Sequence, residues 1–264
     1  MSNIKSAFKE KAFIGFLTAG DPSIEKSEQF IIKMIEAGAD LIEIGIPFSD
    51  PIAEGPVIQA ANVRALSAGT KLKDIFELVV KIRKKYDTPI VFLTYLNPVF
   101  KYGADRFFKK CSETGVDGII IPDMPYEEKD EVKEYAKANN VDVISLIAPT
   151  SEQRIKLIAQ EAEGYIYIVS SMGVTGMRSE IKTDLESIVE AVRKYSSVPA
   201  AIGFGINTPE QAEKYAKLAD GVIVGSAIVK IIAEHGENAD DYIYDYVKSM
   251  KEAVKKIKAA PYKE

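Results

Sequence analysis

The sequence predicts an α/β fold, a single (β/α)8 TIM barrel spanning residues 1–264, and three observations predict it. Eight short apolar runs recur along the chain with helical stretches between them. Most of those runs are continuously apolar, the pattern of parallel strands covered on both faces. No GxGxxG follows the first run, where "TAGDPS" stands, which argues against the rival doubly wound sheet.

In chain order, "IKSAFKE" reads as a short extra helix ahead of the first strand. The strands follow at 12–18 (AFIGFLT), 40–46 (DLIEIGI), 89–95 (PIVFLTY), 117–122 (DGIIIP), 142–148 (DVISLIA), 164–170 (GYIYIVS), 198–204 (VPAAIGF) and 220–225 (DGVIVG). Gly38 and Gly115 fall where helices should stop. "GPVIQAANVRALSAG" predicts an additional helix after the second strand, and 238–258 a closing helix. Thr150-Ser-Glu-Gln153 and Thr208-Pro-Glu-Gln211 both fit a capping box, the second with Pro209 at the first helical position.

Composition removes several kinds of chemistry. Cys111 is the only cysteine, so neither an intrachain disulfide nor a multi-cysteine zinc site is expected. His235, the only histidine, lies in the polar stretch "AEHGENAD" and reads as an exposed helix-end residue; Ser-His-Asp, Cys-His and His-rich metal sites are ruled out. No metal is expected. A net charge of −5 argues against a nucleic-acid footprint, and lysines in "KIRKKY" and "VKKIKAA" read as solvated helix faces. No apolar run approaches the roughly 18 residues of a spanning helix, and "MSNIKSAFKEK" lacks the apolar segment of a secretory signal. A cytoplasmic protein without a membrane role is expected, using carboxylates, tyrosines and backbone for any catalysis.

Barrel active sites lie at the C-terminal ends of the strands. In "DLIEIGI", alternation puts Ile42, Ile44 and Ile46 on one face and Leu41, Glu43 and Gly45 on the other. If the isoleucines face the helices, Glu43 points into the barrel, where an apolar setting favours its acid form and suits it to proton transfer. No predicted strand carries an inward lysine or arginine to pair with it. The next loop, "PFSDPIAEGP", brings Asp50 and Glu54 to the same rim. After the last two strands, "GFGINTPE" and "GSAIVK" offer glycine backbone and a helix opening at Ser226, a natural phosphate site. "SSMGVTGMR", with Gly173, Thr175 and Gly176, reads as a closing loop. Phe16, Tyr95, Tyr167 and Phe204 stand at or near strand ends and suggest the wall of a flat apolar pocket.

The motifs "FLTAGDP", "IEIGIPFSDPIAEGP", "TYLNPVFKYG", "GVDGIIIPDMPYEE", "IAPTS", "YIYIVSSMGVTG", "GFGI" and "GVIVGSAIV" follow one another in the order of a known family. Along essentially its whole length the chain resembles the tryptophan synthase α subunit. The resemblance implies retro-aldol cleavage of indole-3-glycerol phosphate to indole and glyceraldehyde 3-phosphate. It implies no cofactor on this chain, and a partner β subunit that carries PLP in an α2β2 heterotetramer. By motif, Glu43 matches the catalytic glutamate. Glu54 stands where the family has an aspartate, in "AEGP" for "ADGP", that bonds the indole N–H. Phe16, Tyr95, Ile147, Tyr167 and Phe204 match the indole pocket; Gly176, Gly205, Gly225 and Ser226 match the phosphate contacts. Thr175 matches the closing-loop threonine, and Pro47, Asp50 and Asn97 fall on segments facing the β subunit. Two alternatives stay open: a stand-alone lyase with the same fold and site that releases free indole and, because of the extra methylene of Glu54, a catalytically weak regulatory subunit that activates a β subunit.

Overall fold

The computed structural model describes residues 2–169, 184–203 and 205–257. Its strands are β1 (Ala12–Thr18), β2 (Leu41–Gly45), β3 (Ile90–Leu93), β4 (Gly118–Ile120), β5 (Asp142–Val143), β6 (Ser145–Ile147), β7 (Ile166–Val169), β8 (Ala200–Gly203) and β9 (Gly221–Val224). All pair in parallel, in the order β5-β4-β3-β2-β1-β9-β8-β7-β6. The two ends of that order, β5 and β6, are halves of the fifth predicted strand. β5 pairs with β4 and β6 with β7, and the Ile144 N–H between them donates to the Ile119 carbonyl at 2.9 Å. The sheet therefore comes round on itself as a TIM barrel.

The helices are α1 (Ile24–Glu36), α2 (Pro56–Ser67), α3 (Leu72–Arg83), α4 (Leu96–Tyr102), α5 (Ala104–Thr114), α6 (Asp130–Ala138), α7 (Glu152–Gln160), α8 (Leu185–Tyr195), α9 (Pro209–Leu218), α10 (Ser226–His235) and α11 (Asp240–Lys255). α2 and α11 are the expected additional and closing helices. Gly115 ends α5 in the left-handed region at φ 88°, and Gly38 at φ 102° follows the last residue of the α1 cap. The Thr208 capping box forms with Pro209 in the first turn. At α7 the cap lies one residue later than expected. Ser151, not Thr150, accepts from the Arg154 N–H, because the helix starts at Glu152 and only Ser151 then faces the third helical N–H. The segment before β1 is a 3-10 helix, Ile4–Phe8.

Alternation along the strands sorts the core into two layers. Ile42, Ile44 and Ile46 join the helix-facing layer; Leu41, Val91, Ile120, Tyr165, Tyr167 and Ile223 fill the barrel. Ile4 and Phe8 pack with that inner layer, and the Phe8 ring lies 5.7 Å from Tyr165. The sheet thus holds a packed lower interior and leaves its C-terminal mouth to other residues.

Candidate active site

Glu43 sits in the middle of β2, opposite Phe16 of β1 and Val91 of β3, and shares their inward face. It is 1% exposed, and Tyr165 Oη donates to its Oε1 at 2.5 Å. Burial raises its pKa to about 7, with the Tyr165 bond pulling the other way. Among the described residues its hydrogen-bond partner is a tyrosine and not a cation, and the carboxyl is poised for proton exchange near neutrality.

Glu54 reaches the same cavity from the loop between β2 and α2, at 6% exposure. Asn62 Nδ2 donates to Glu54 Oε2 at 3.3 Å, and Gln59 Nε2 donates to the Glu54 carbonyl at 2.8 Å. Burial pushes the Glu54 carboxyl up, while Tyr95 and Asn62 hydrogen bonds hold it down. The Ala53 N–H donates to Tyr95 Oη at 3.0 Å. Tyr95, which caps the start of α4, thus fixes the loop that carries Glu54.

Both carboxyls line one cavity at the mouth of the barrel. Phe16, Leu93, Leu146 and Tyr167 form apolar wall; Gly205, Gly225 and Ser226 stand on the rim. Gly205 adopts φ 81°, a backbone that side chains rarely take. A Cβ at Gly225 would meet Phe16 Cδ1 at 3.0 Å, so the glycine is what lets the ring lie against the start of α10. Ser226 opens that ten-residue helix, whose first N–H groups and dipole favour an anion. Two carboxyls and an anion-favouring helix end thus share one apolar chamber.

Of the residues expected in the pocket wall, Phe16 and Tyr167 are there. Tyr95 is absent from the lining and acts on the loop instead. Ile147 packs in the helix-facing layer, opposite Ile168; Leu146, opposite Tyr167, takes the inward place. An all-apolar strand has two possible phases, and this one turns Leu146 toward the cavity. Phe204, Thr175 and Gly176, and the rest of the "SSMGVTG" segment from 170, lie outside the described residues. Tyr165 and Asn62 escaped the sequence reading. Tyr165 stands two residues before Tyr167 and so shares its face; Asn62 interrupts the buried stripe Ile58, Ala61, Ala65 of α2. Pro47, Asp50 and Asn97 gather along one groove beside the mouth, Asp50 and Asn97 exposed.

His235 ends α10 but is only half exposed, because its ring stacks on Tyr242 with centroids 3.6 Å apart. Cys111 is buried in α5, where burial pushes its thiol up. Among the described residues no cluster of His, Cys, Asp and Glu could hold a metal ion, and no helix is long and apolar enough to cross a membrane.

A closed barrel with two desolvated carboxyls in an apolar chamber defines an enzyme of general acid-base chemistry. The family model described as "Tryptophan synthase alpha chain" matches residues 1–260, and the chain belongs to that family. The chain is 49% identical to the tryptophan synthase alpha chain of Lacticaseibacillus casei over 96% of both chains. The tryptophan synthase subunit alpha of Legionella pneumophila superposes with a TM-score of 0.88 at 35% identity, covering 97% of this chain and 100% of that one. A chain of the tryptophan synthase α2β2 complex from Pyrococcus furiosus is similar at a TM-score of 0.85 and 35% identity, over 93% of this chain and 99% of that one.

Proposed function

We propose that Glu43 and Glu54 are the two working carboxyls of an α subunit that cleaves indole-3-glycerol phosphate to indole and glyceraldehyde 3-phosphate in tryptophan biosynthesis. The observation that carries this reading is the placement of both carboxyls in one apolar cavity whose rim is the glycine-flanked start of α10. The cavity suits a flat ring at one end and a phosphate at the other.

The protonated Glu43 carboxyl delivers its proton to indole C3. The carboxylate so formed takes the proton of the adjacent side-chain hydroxyl as the carbon-carbon bond breaks, and the bonding pair returns to the ring. One group serves as acid and then as base, which a pKa near 7 allows at neutral pH. Ionised Glu54 accepts the ring N–H and stabilises the positive charge that develops there. Backbone at Gly205 and Gly225, with Ser226, holds the phosphate. Phe16, Leu146 and Tyr167 exclude water from the ring.

The whole span 1–264 works as one barrel unit, in the cytoplasm. The α chain uses no cofactor, and a β subunit carrying PLP docks over Pro47, Asp50 and Asn97 to form an α2β2 assembly. The α2β2 complex of the Pyrococcus relative supports that assembly. Membership of the family does not favour a stand-alone lyase or a purely regulatory chain.

Indole release from indole-3-glycerol phosphate by the purified chain, with and without a β subunit, tests the reading. Slow turnover strongly accelerated by the partner is expected. No indole in either condition, from folded protein that binds substrate, would overturn it. Glu54→Asp should change kcat by less than tenfold in the upward direction, since Asn62 and Tyr95 already hold the longer side chain; a larger gain would mean that Glu54 is misplaced.

A further inference from the structure

α2 is the helix inserted between the second strand and the third, and its buried stripe runs Ile58, Ala61, Asn62, Ala65. Asn62 is 4% exposed there, at a position where packing alone calls for an apolar side chain. A buried amide is retained at such a place only when its donors and acceptors are satisfied. Its Nδ2 donates to Glu54 Oε2 at 3.3 Å, eight residues back across the N-terminus of the same helix.

We propose that Asn62 is a positioning residue for the cleavage reaction, its side-chain amide holding the Glu54 carboxyl in the orientation that receives the ring N–H of the substrate. The proposal rests on the reading of Glu54 given above. A glutamate has one more rotatable bond than an aspartate, so its carboxyl needs more tethering to keep one direction. The tethers are present. Asn62 holds one carboxyl oxygen, the Tyr95 hydroxyl acts on the same carboxyl, and Gln59 Nε2 fixes the Glu54 carbonyl at 2.8 Å. A carboxylate offers about four acceptor sites, so two protein donors leave room for one from a ligand. The tether is itself anchored: Arg64, two residues on from Asn62, makes paired 2.7 Å bonds to both oxygens of Asp21 in the loop after β1. Asn62 does not line the cavity, so it acts through Glu54.

The test compares Asn62→Ala, Asn62→Leu and Glu54→Gln with the unaltered chain, all complexed with the β subunit, by pH profiles of kcat/KM and of kcat. Leucine keeps the branched shape of asparagine without its donor and guards against a fold lost to a cavity. The expected result for both Asn62 variants is a 10- to 100-fold fall in kcat at neutral pH, with inhibition by glycerol 3-phosphate unchanged within twofold. The acid limb of the profile should move to higher pH, because a donor that favours ionised Glu54 has gone. A merely structural role would not move that limb. Asn62 variants with unaltered kinetics, or with a fall in kcat and an unmoved limb, beside an inactive Glu54→Gln, would overturn the role of Asn62 and leave that of Glu54 standing. Full activity of Glu54→Gln would overturn both.

Discussion

Glu43 interrupts an otherwise apolar strand, and its burial has two measurable consequences. Its pKa rises from 4.5 to about 7, so between those values the folded state holds a proton that the unfolded state has released. The stability tied to that proton is complete below pH 4.5 and is lost as pH rises through 7. At about 1.4 kcal/mol per unit, the loss reaches about 3 kcal/mol. Glu43→Gln, which cannot titrate, should therefore match the parent chain in urea unfolding near pH 4.5 and exceed it by up to about 3 kcal/mol at pH 8. The same variant should release no indole. Tyr165 supplies the second test. Its hydroxyl bond favours the charged form of Glu43, so Tyr165→Phe should raise the Glu43 pKa further. If protonated Glu43 starts the reaction, the alkaline limb of kcat then moves to higher pH; a limb that moves down would contradict the assigned order of proton transfers. Of these two side chains, only the glutamate announced itself in the sequence, because a charge in an apolar run is conspicuous and a tyrosine in one is not.

At the scale of the element, α2 decides how the second carboxyl is presented. Gly55 and Pro56 start the helix, Glu54 stands just ahead of it, and Asn62 reaches back from its inner face. Arg64 ties the helix to Asp21, a carboxylate that is 1% exposed. Removing one partner of a fully buried pair costs about 3–5 kcal/mol, and the partial exposure of Arg64 reduces that figure. Arg64→Ala should lower stability by about 2 kcal/mol in urea unfolding and reduce kcat more than it raises KM, since α2 then holds Glu54 less firmly. A variant equally unstable but kinetically normal would separate α2 from the chemistry. The helix itself was legible as "GPVIQAANVRALSAG", and so were its bounds to within two residues. The role of its inner face was not, because Asn62 meets Glu54 only once the turn between them has formed.

For the whole molecule, closure joins the two ends of the chain. Lys251 of α11 donates to Asp40 Oδ2, just before β2, at 2.5 Å and to the Lys11 carbonyl at 3.1 Å, while Lys11 Nζ donates to the Ala219 carbonyl at 2.6 Å. These bonds tie the last helix to the N-terminal ends of β1 and β2 and to the turn into β9. Asp40 is pushed up by burial, and Lys251 is the largest influence holding it down. Lys251→Met should raise the Asp40 pKa further. The penalty of the uncompensated carboxylate is then present above that pKa and fades as pH falls through it toward 3.8, below which Asp40 is protonated in both folded and unfolded chains. Unfolding midpoints should show a deficit of about 2–3 kcal/mol at pH 7 and a smaller one near pH 4. A deficit that is the same at both values would mean that Lys251 acts through packing alone.

By itself the sequence determined the eight-strand barrel, the additional and closing helices, the inward aim of Glu43 and the glycine-marked rim. Each of these follows from local period, a turn residue or a charge out of place, and such signals are written in neighbouring residues. Tertiary structure alone decided which face of the split fifth strand looks inward, putting Leu146 in the wall and Ile147 behind it. It also decided that Tyr95 braces a loop where a pocket wall was expected, that Tyr165 is the partner of Glu43, and that Asn62 reaches Glu54. Two physical reasons cover them. An apolar strand reads the same in either phase, and a hydrogen bond between distant side chains exists only after the barrel has closed and excluded the water that would otherwise satisfy both groups.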